Sequence, residues 1–216
     1  MQGKRLIQTL GLRNFLSYGP DGIEIGLEPL NVLIGPNGSG KSNLIEAINV
    51  LRSTPRDLTT PIREGGGVSE WLWKGRRREL PSVVAEIGAT VYYPQGIMPL
   101  RYRLSFTAVS QRLEVVDEAI ENEHPTRPGE SDVYFFYRFQ HGQPALNVRT
   151  NVGEPAGTSA GRSERRLRRE DVSPDQSVLS QRKDPDVYPE LTYLGNQFAD
   201  VRIYADWSFG RYTAPR

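Results

Sequence analysis

A glycine-rich segment contains the residues of this chain that are best suited to chemistry. Residues 35–42 read GPNGSGKS and fit the pattern G-x-x-x-x-G-K-[ST]. Glycine has no Cβ, so the backbone N–H groups of such a segment can approach an anion closely. The lysine of this pattern reaches the β- and γ-phosphates of a nucleotide, and the hydroxyl that follows it takes a coordination position on Mg²⁺. The segment, called the phosphate loop below, therefore predicts that the chain binds ATP with Mg²⁺.

The nine residues that begin with this loop form the predicted nucleotide site. Lys41 is predicted to contact the β- and γ-phosphates, and Ser42 to bind Mg²⁺. The full predicted set is Gly35, Pro36, Asn37, Gly38, Ser39, Gly40, Lys41, Ser42 and Asn43.

The residues on either side of the phosphate loop predict the two elements that must position it. Upstream, residues 30–34 (LNVLI) are a short apolar run between Pro29 and Gly35, which is typical of a buried strand. Downstream, apolar residues recur at helical spacing and predict a helix that ends near Ser53. The N-terminus of that helix adds unpaired N–H groups and a partial positive charge, which favour a polyanion. This context distinguishes the motif from a glycine-rich turn that happens to carry a lysine.

Composition excludes several other kinds of site. The chain has 216 residues, enough for one large domain or two small ones, and a formal net charge of +1, so any nucleic-acid surface must be local. It has no cysteine, which excludes disulfides and thiolate metal sites. Its two histidines, His124 and His141, lie in predicted loops and do not suggest a metal centre. Because no apolar stretch is long enough to be a secretion signal or to span a membrane, we expect a cytoplasmic protein without a membrane partner.

The remaining sequence predicts mainly antiparallel strands. Residues 4–16 and 23–27 are predicted to form a hairpin, and alternating apolar runs over about residues 82–150 predict an antiparallel meander. We expect a short strand at residues 201–204 and, before it, a helix at residues 187–198. The predicted division is residues 1–75 for the phosphate-loop core, 76–150 for the meander, 151–175 for a mobile charged loop or hairpin tip, and 176–216 for the closing helix and strand.

Two sequence stretches resemble the start of an SMC/RecF-type ATPase head. They are L-R-N-F-L-S-Y at residues 12–18 and L-N-V-L-I-G-P-N-G-S-G-K-S-N-L-I-E-A-I at residues 30–48. These heads are ABC-class ATPases of chromosome maintenance, DNA repair and, in the OLD-like branch, phage defence. More loosely, D-x-Y-P-E-L at residues 186–191 is similar to RecF-like AAA ATPases of bacteria. The resemblance implies an α/β phosphate-loop NTPase fold (ABC/SMC-head-like), of which this chain is the N-terminal lobe with an antiparallel β meander.

The resemblance also implies four further parts: a glutamine that senses Mg²⁺ and the γ-phosphate, an LSGG-like signature, a strand that ends in Asp-Glu, and a switch histidine. Gln176 and Gln181 are candidates for the first part, and Gln176 is slightly favoured as a ligand of nucleotide and Mg²⁺. The sequence has no LSGG-like signature. We therefore expect a fragment of a longer head, or one half of a split ATPase, that hydrolyses ATP only when a C-terminal lobe completes it and the head dimerises. The alternative is a nucleotide-binding regulatory or interaction module that does not hydrolyse ATP.

Several other readings of the sequence remain open. In LEVVDE, Asp117 and Glu118 match a catalytic Asp-Glu pair, but Glu114 would place a charge in a strand that is normally buried on both faces. We therefore interpret this run as a half-exposed strand of the meander. A small-molecule kinase fits the phosphate loop but not the meander. The arginine clusters at residues 76–78 and 162–169 are candidate DNA contacts, and Arg63 is a candidate contact to the nucleotide of a partner head.

Overall fold

A single antiparallel sheet dominates the structure. The computed structural model describes residues 5–75, 83–126, 129, 132–140, 142–149 and 162–204. The sheet has eight strands in the order β2-β1-β3-β4-β5-β6-β7-β8. The strands are β1 (Ile7–Arg13), β2 (Ile23–Gly26), β3 (Ala85–Val91), β4 (Leu100–Val109), β5 (Arg112–Asn122), β6 (Phe135–Gln140), β7 (Gln143–Arg149) and β8 (Arg162–Arg166).

Five α-helices accompany the sheet in the described part of the chain. They are α1 (Lys41–Ser53), α2 (Thr59–Glu64), α3 (Val68–Trp71), α4 (Val178–Gln181) and α5 (Pro189–Ala199). Of the helices described, none is long and apolar enough to cross a bilayer. The apolar residues of α1 and α5 recur at helical spacing and face the core, which explains why both segments are helical.

The alternation of residues along the strands decides which face of the sheet meets the helices. Alternate residues of β3 and β4, such as Ile87, Tyr102 and Leu104, are fully or almost fully buried and share one core with α1 and α5. The Tyr102 ring packs edge-on against Phe198 of α5, with ring centroids 5.4 Å apart. The residues between them, such as Arg103, lie on the opposite, polar face. The period of two along each strand thus separates a helix-covered core from a polar face.

The structure confirms most of the predicted elements. The β1–β2 hairpin, the meander from β3 to β7, and the helix α1 are present, and α5 begins two residues later than predicted. The hairpin is not separate from the meander, since β1 pairs with β3. The segment 151–175 was predicted to be a mobile charged loop or a hairpin tip, and its residues 162–166 form β8, which pairs antiparallel with β7 and favours the hairpin. The predicted strand at 201–204 is wrong, because these residues are not assigned to any strand of the described sheet.

Candidate phosphate-binding site

The phosphate loop is a tight turn that leads directly into α1. Its turn is closed by the Ser39 N–H, which donates to the Pro36 carbonyl at 3.3 Å. Gly38 and Gly40 have φ of 80° and 89°, a left-handed conformation that L side chains rarely adopt. A Cβ on Gly35 would lie only 2.9 Å from Ser39 Oγ. The backbone conformation of the loop therefore favours glycine at positions 38 and 40, whereas a side chain at position 35 would require Ser39 Oγ to move.

The Lys41 ammonium lies inside the loop. Nζ donates to the carbonyl oxygens of Gly35 and Pro36, both at 2.7 Å, and to Ser39 Oγ at 3.2 Å. These contacts hold the positive charge at the centre of the turn and leave it open to solvent. A phosphate oxygen carries a negative charge that a carbonyl oxygen lacks, so Coulomb attraction makes it the better partner for this ammonium.

The N-terminus of α1 adds further donors beside Lys41. Gly40 is the N-cap residue, no side chain caps this end, and the first turn contains no acidic residue. The first N–H groups of a helix have no partner within the helix and carry the positive end of its dipole. Ser42 is exposed in this turn. Together, the lysine, the free N–H groups and the small residues fit a phosphate chain, and the Ser42 hydroxyl is placed where a Mg²⁺ ion on that chain could bind it.

The turn that contains Ser17 and Tyr18 forms hydrogen bonds with the phosphate loop and the start of α1. The Tyr18 hydroxyl donates to the Gly40 carbonyl at 3.0 Å, and Asn43 Nδ2 donates to Ser17 Oγ at 2.7 Å. The structure therefore brings the predicted residue Asn43 to the site but engages its amide with the chain itself. Ser17 and Tyr18 had no predicted role, although both belong to the L-R-N-F-L-S-Y stretch that resembles SMC/RecF-type heads.

Comparison with known proteins identifies the family. The family model described as an AAA domain, putative AbiEii toxin, Type IV TA system, matches residues 30–210. The chain belongs to this AAA-domain family. The match begins just before the phosphate loop and ends beyond α5, so it includes both the loop and most of the sheet.

Two curated relatives match the AAA-domain chain over about half of its length. The DNA replication and repair protein RecF of Pediococcus pentosaceus is 27% identical over 113 residues, which are 52% of this chain and 27% of that protein. The chromosome partition protein Smc of Desulfitobacterium hafniense is 29% identical over 98 residues, 45% of this chain and 8% of that protein. The chain thus spans about a quarter of the RecF relative. With the family match, these relatives confirm the resemblance to SMC/RecF-type heads.

Two solved structures resemble the fold more distantly. A chain from work on the structural biochemistry of ATP-driven dimerization and DNA-stimulated activation of SMC ATPases has a TM-score of 0.43 and 24% identity, and the match covers 56% of this chain and 73% of that one. The structure of the SMC head bound to the C-winged helix domain of ScpA has a TM-score of 0.41 and 22% identity, with coverage of 51% and 35%.

Residues 30–34 of the AAA-domain chain differ from their prediction. They are not part of the described sheet, and their apolar side chains are exposed, with Val32 at 74% and Ile34 at 89%. At the start of this segment, the Asn31 side chain exchanges two hydrogen bonds with the backbone of Glu28 and forms a turn. The prediction of a buried strand was therefore wrong for this structure. A strand buries its two faces only if other strands and helices cover them.

Gln176 lies at the opposite end of α1 from the phosphate loop. Its Oε1 accepts from the Leu58 N–H at 3.0 Å, and its Nε2 donates to Asp57 Oδ1 at 2.9 Å. Since α1 has 13 residues, this end is about 20 Å from the loop. Hydrogen bonds from Thr59, Gln176 and Thr60 hold the pKa of Asp57 well below its usual value. The structure thus assigns Gln176 to the junction after α1 and does not bring it to the predicted nucleotide and Mg²⁺ site.

The other candidate glutamine, Gln181, is also engaged within the fold. Its Oε1 accepts from the Ser173 N–H at 2.9 Å, and its Nε2 donates to the carbonyls of Gln176 and Ser177. These contacts close the segment around α4. Neither glutamine therefore lies beside the phosphate loop in this structure.

Glu118 is buried in the core and is not a half-exposed residue of the meander. Only 1% of it is exposed, and its carboxyl group accepts from the Tyr102 hydroxyl at 2.7 Å, the Val178 N–H at 2.9 Å and the Ser177 hydroxyl. Burial raises its pKa to about 7, although these hydrogen bonds oppose the shift. Burial also raises the pKa of Asp117. Glu118 thus links β5 to the start of α4, and its hydrogen bonds give it a structural role in the core.

The arginine candidates are only partly described. Residues 76–78 lie outside the described residues. In the second cluster, the backbone of Arg162–Arg166 forms β8, and Arg168 pairs with Glu170 at 3.3 Å on the surface. Exposed pairs of this kind contribute little to stability. Arg63 is exposed in the last turn of α2, where it is open to a partner molecule.

Proposed function

We propose that this chain is the ATP-binding lobe of an SMC/RecF-like ATPase that acts in DNA maintenance, repair or phage defence. The observation that carries the proposal is the phosphate loop, in which an ammonium group, the N-terminus of α1 and left-handed glycines converge on one small volume. In the bound state, Lys41 would neutralise charge on the β- and γ-phosphates, and Ser42 would hold Mg²⁺. Membership of the AAA-domain family supports the assignment of the nucleotide as ATP.

Hydrolysis in this proposal requires a second lobe and a second head. Transfer of a phosphoryl group to water needs a group that orients the water and further charge that stabilises the transition state. Glu118, the glutamate of the Asp-Glu candidate, is buried and engaged by Tyr102, Ser177 and Val178 in the core. We infer that a C-terminal lobe supplies an acidic pair, and that dimerisation across ATP supplies a signature loop to the site.

The exposed residues 30–34 support completion by another lobe. The exposed fractions of Leu30, Val32 and Ile34 are 82%, 74% and 89%. Such exposure is unusual for apolar residues that lie so close together in the chain. Burial of each such side chain is worth roughly 1.5–3 kcal/mol. Strands of a second lobe that add to this segment would therefore gain several kcal/mol and would fix the entry to the phosphate loop at the same time.

The proposed biological role follows from the relatives. One of them is a DNA replication and repair protein and the other a chromosome partition protein, and the family description includes a type IV toxin–antitoxin system. DNA is therefore the proposed substrate of the complete protein. A non-hydrolysing nucleotide-binding module is the second candidate, and the structural engagement of Glu118 favours it over hydrolysis by this chain alone.

Titration calorimetry with ADP or ATP and Mg²⁺ tests the proposed site. Lys41→Ala should weaken binding by about ten- to a hundredfold, because a hydrogen bond to a charged group is worth about 1.5–3 kcal/mol. Lys74→Ala is the matched control, since Lys74 is an exposed lysine that pairs with Glu70 on α3. Equal affinities of the wild type and Lys41→Ala would reject the phosphate loop as the nucleotide site.

A further inference from the structure

The turn that follows β1 is held in place by the core. Phe15 is fully buried and packs against Trp71 and Phe106, with ring centroids 5.8 Å and 6.4 Å away. The backbones of Phe15 and Tyr18 exchange two hydrogen bonds, which close the turn. The Leu16 N–H donates to the Trp71 carbonyl at 2.9 Å, which attaches the turn to the end of α3. The backbone of residues 14–18 is therefore anchored independently of the phosphate loop.

Two side chains of this anchored turn contact the junction between the phosphate loop and α1. The Gly40 carbonyl accepts from the Tyr18 hydroxyl at 3.0 Å and from the Leu44 N–H at 3.0 Å, the latter being the first hydrogen bond of the helix. Ser17 Oγ accepts from Asn43 one turn later, at 2.7 Å. A Cβ on Gly40 would lie 3.1 Å from both Ser17 Oγ and Tyr18 Oη. The turn thus lies directly against the N-cap of α1, and a side chain at Gly40 would require the two hydroxyls to shift.

We propose that Ser17 and Tyr18 are positioning residues of the phosphate loop, an inference that rests on the proposed nucleotide-binding function. Residues 36–39 of the loop are exposed, and Gly40 adopts a left-handed conformation outside the helix, so the hydroxyl contacts at Gly40 and Asn43 connect the loop to the anchored turn. Phosphate binding requires the loop N–H groups and the Lys41 ammonium to point at the same place, and binding sites lose strength when such groups are misplaced by about 0.5 Å. The two hydroxyl contacts tie that geometry to the core through Phe15.

Hydroxyl-deleting variants test this positioning role. Tyr18→Phe removes one hydroxyl and keeps the ring, and Tyr92→Phe is the control, because Tyr92 is a partly exposed tyrosine just after β3. Loss of one neutral hydrogen bond should reduce the affinity for ADP about three- to tenfold. Ser17→Ala should have a similar effect, and Ser17→Thr, which keeps a hydroxyl, should restore most of the affinity. The urea midpoints of all variants should remain close to that of the wild type.

The pattern of the losses separates positioning from direct contact with the nucleotide. If Tyr18 acts through the loop, Tyr18→Phe should weaken ADP, GDP and pyrophosphate by the same factor, since all three use the phosphate cradle. A loss with ADP but not with pyrophosphate would overturn the proposal and indicate a contact to the base or ribose. Unchanged affinity for all three ligands would overturn it as well.

Amide hydrogen exchange in the nucleotide-free protein keeps the test independent of nucleotide binding. The Leu44 N–H, which shares the Gly40 carbonyl with Tyr18, should exchange faster in Tyr18→Phe than in the wild type or in Tyr92→Phe. If the wild type binds no nucleotide, the proposed function fails, but faster exchange at Leu44 still supports positioning of the loop. Unchanged exchange at Leu44 would overturn the positioning role whether or not nucleotide binds.

Discussion

Neutralising Glu118 should stabilise the protein at neutral and alkaline pH. Glu118 is 1% exposed, and burial raises its pKa to about 7 from 4.5. Its neighbours are hydroxyl and N–H donors from Tyr102, Ser177 and Val178, and Asp117 nearby raises the pKa further by its negative charge. In the Glu118→Gln variant, the side chain keeps its shape and carries no charge. Its amide oxygen can accept from the Val178 N–H, and its amide nitrogen can donate to the hydroxyl oxygens of Tyr102 and Ser177.

The direction and size of the effect follow from the two pKa values. Between pH 4.5 and pH 7 the folded protein holds a proton on Glu118 that the unfolded chain releases. The free energy of unfolding therefore contains a contribution from Glu118 that is complete below pH 4.5 and is lost as the pH rises through 7. Each pKa unit corresponds to about 1.4 kcal/mol, so the shift amounts to about 3 kcal/mol. Gln at position 118 does not titrate, so the Glu118→Gln variant should not lose this part of its free energy of unfolding as the pH rises.

Urea denaturation at pH 5, 6, 7 and 8, followed by tryptophan fluorescence, measures this effect. The two proteins should have similar free energies of unfolding at pH 5, and Glu118→Gln should be more stable by about 3 kcal/mol at pH 8. Glu24→Gln on β2 is the control, because water solvates this exposed carboxylate in both the folded and the unfolded states. A difference between wild type and Glu118→Gln that stays constant from pH 5 to pH 8 would refute the reasoning.

Three further predictions concern catalysis, DNA and the exposed segment. The isolated chain should hydrolyse ATP negligibly, and Glu118→Gln should leave the steady-state rate unchanged; measurable turnover that Glu118→Gln abolishes would show that Glu118 is catalytic. If the second arginine cluster contacts DNA, joint replacement of its arginines should make DNA affinity less dependent on salt concentration. An unchanged salt dependence would assign these arginines to the solvated surface. The residues to replace are Arg165, Arg166, Arg168 and Arg169. In urea denaturation, Val32→Ala should change the free energy of unfolding by less than about 0.5 kcal/mol, because Val32 is exposed, whereas Leu44→Ala, in the core, should cost about 2–5 kcal/mol. A large cost for Val32→Ala would mean that residues 30–34 are buried in solution.

Local patterns in the sequence were sufficient to predict much of the fold and the centre of the site. The phosphate loop, the helix α1 and the alternating strands depend on interactions between residues close in the chain. The αL glycines Gly38 and Gly40 were predictable for the same reason, because only a residue without a Cβ tolerates those dihedral angles. For these features the sequence by itself determined the outcome.

The tertiary structure alone decided which of the candidate residues lie beside the phosphate loop and which lie elsewhere. Gln176 pairs with Asp57 across 119 residues and Glu118 reaches Val178 across 60, and no local pattern specifies such partners. The hydrogen bond from Tyr18 to the Gly40 carbonyl, 22 residues later in the chain, could not be predicted from the sequence for the same reason. Residues 30–34 show the converse: their apolar pattern indicates a strand, but whether a strand is buried depends on what covers it, and the described sheet does not. The periodicity of apolar residues is a property of one segment, whereas the burial of that segment depends on the other elements that pack against it.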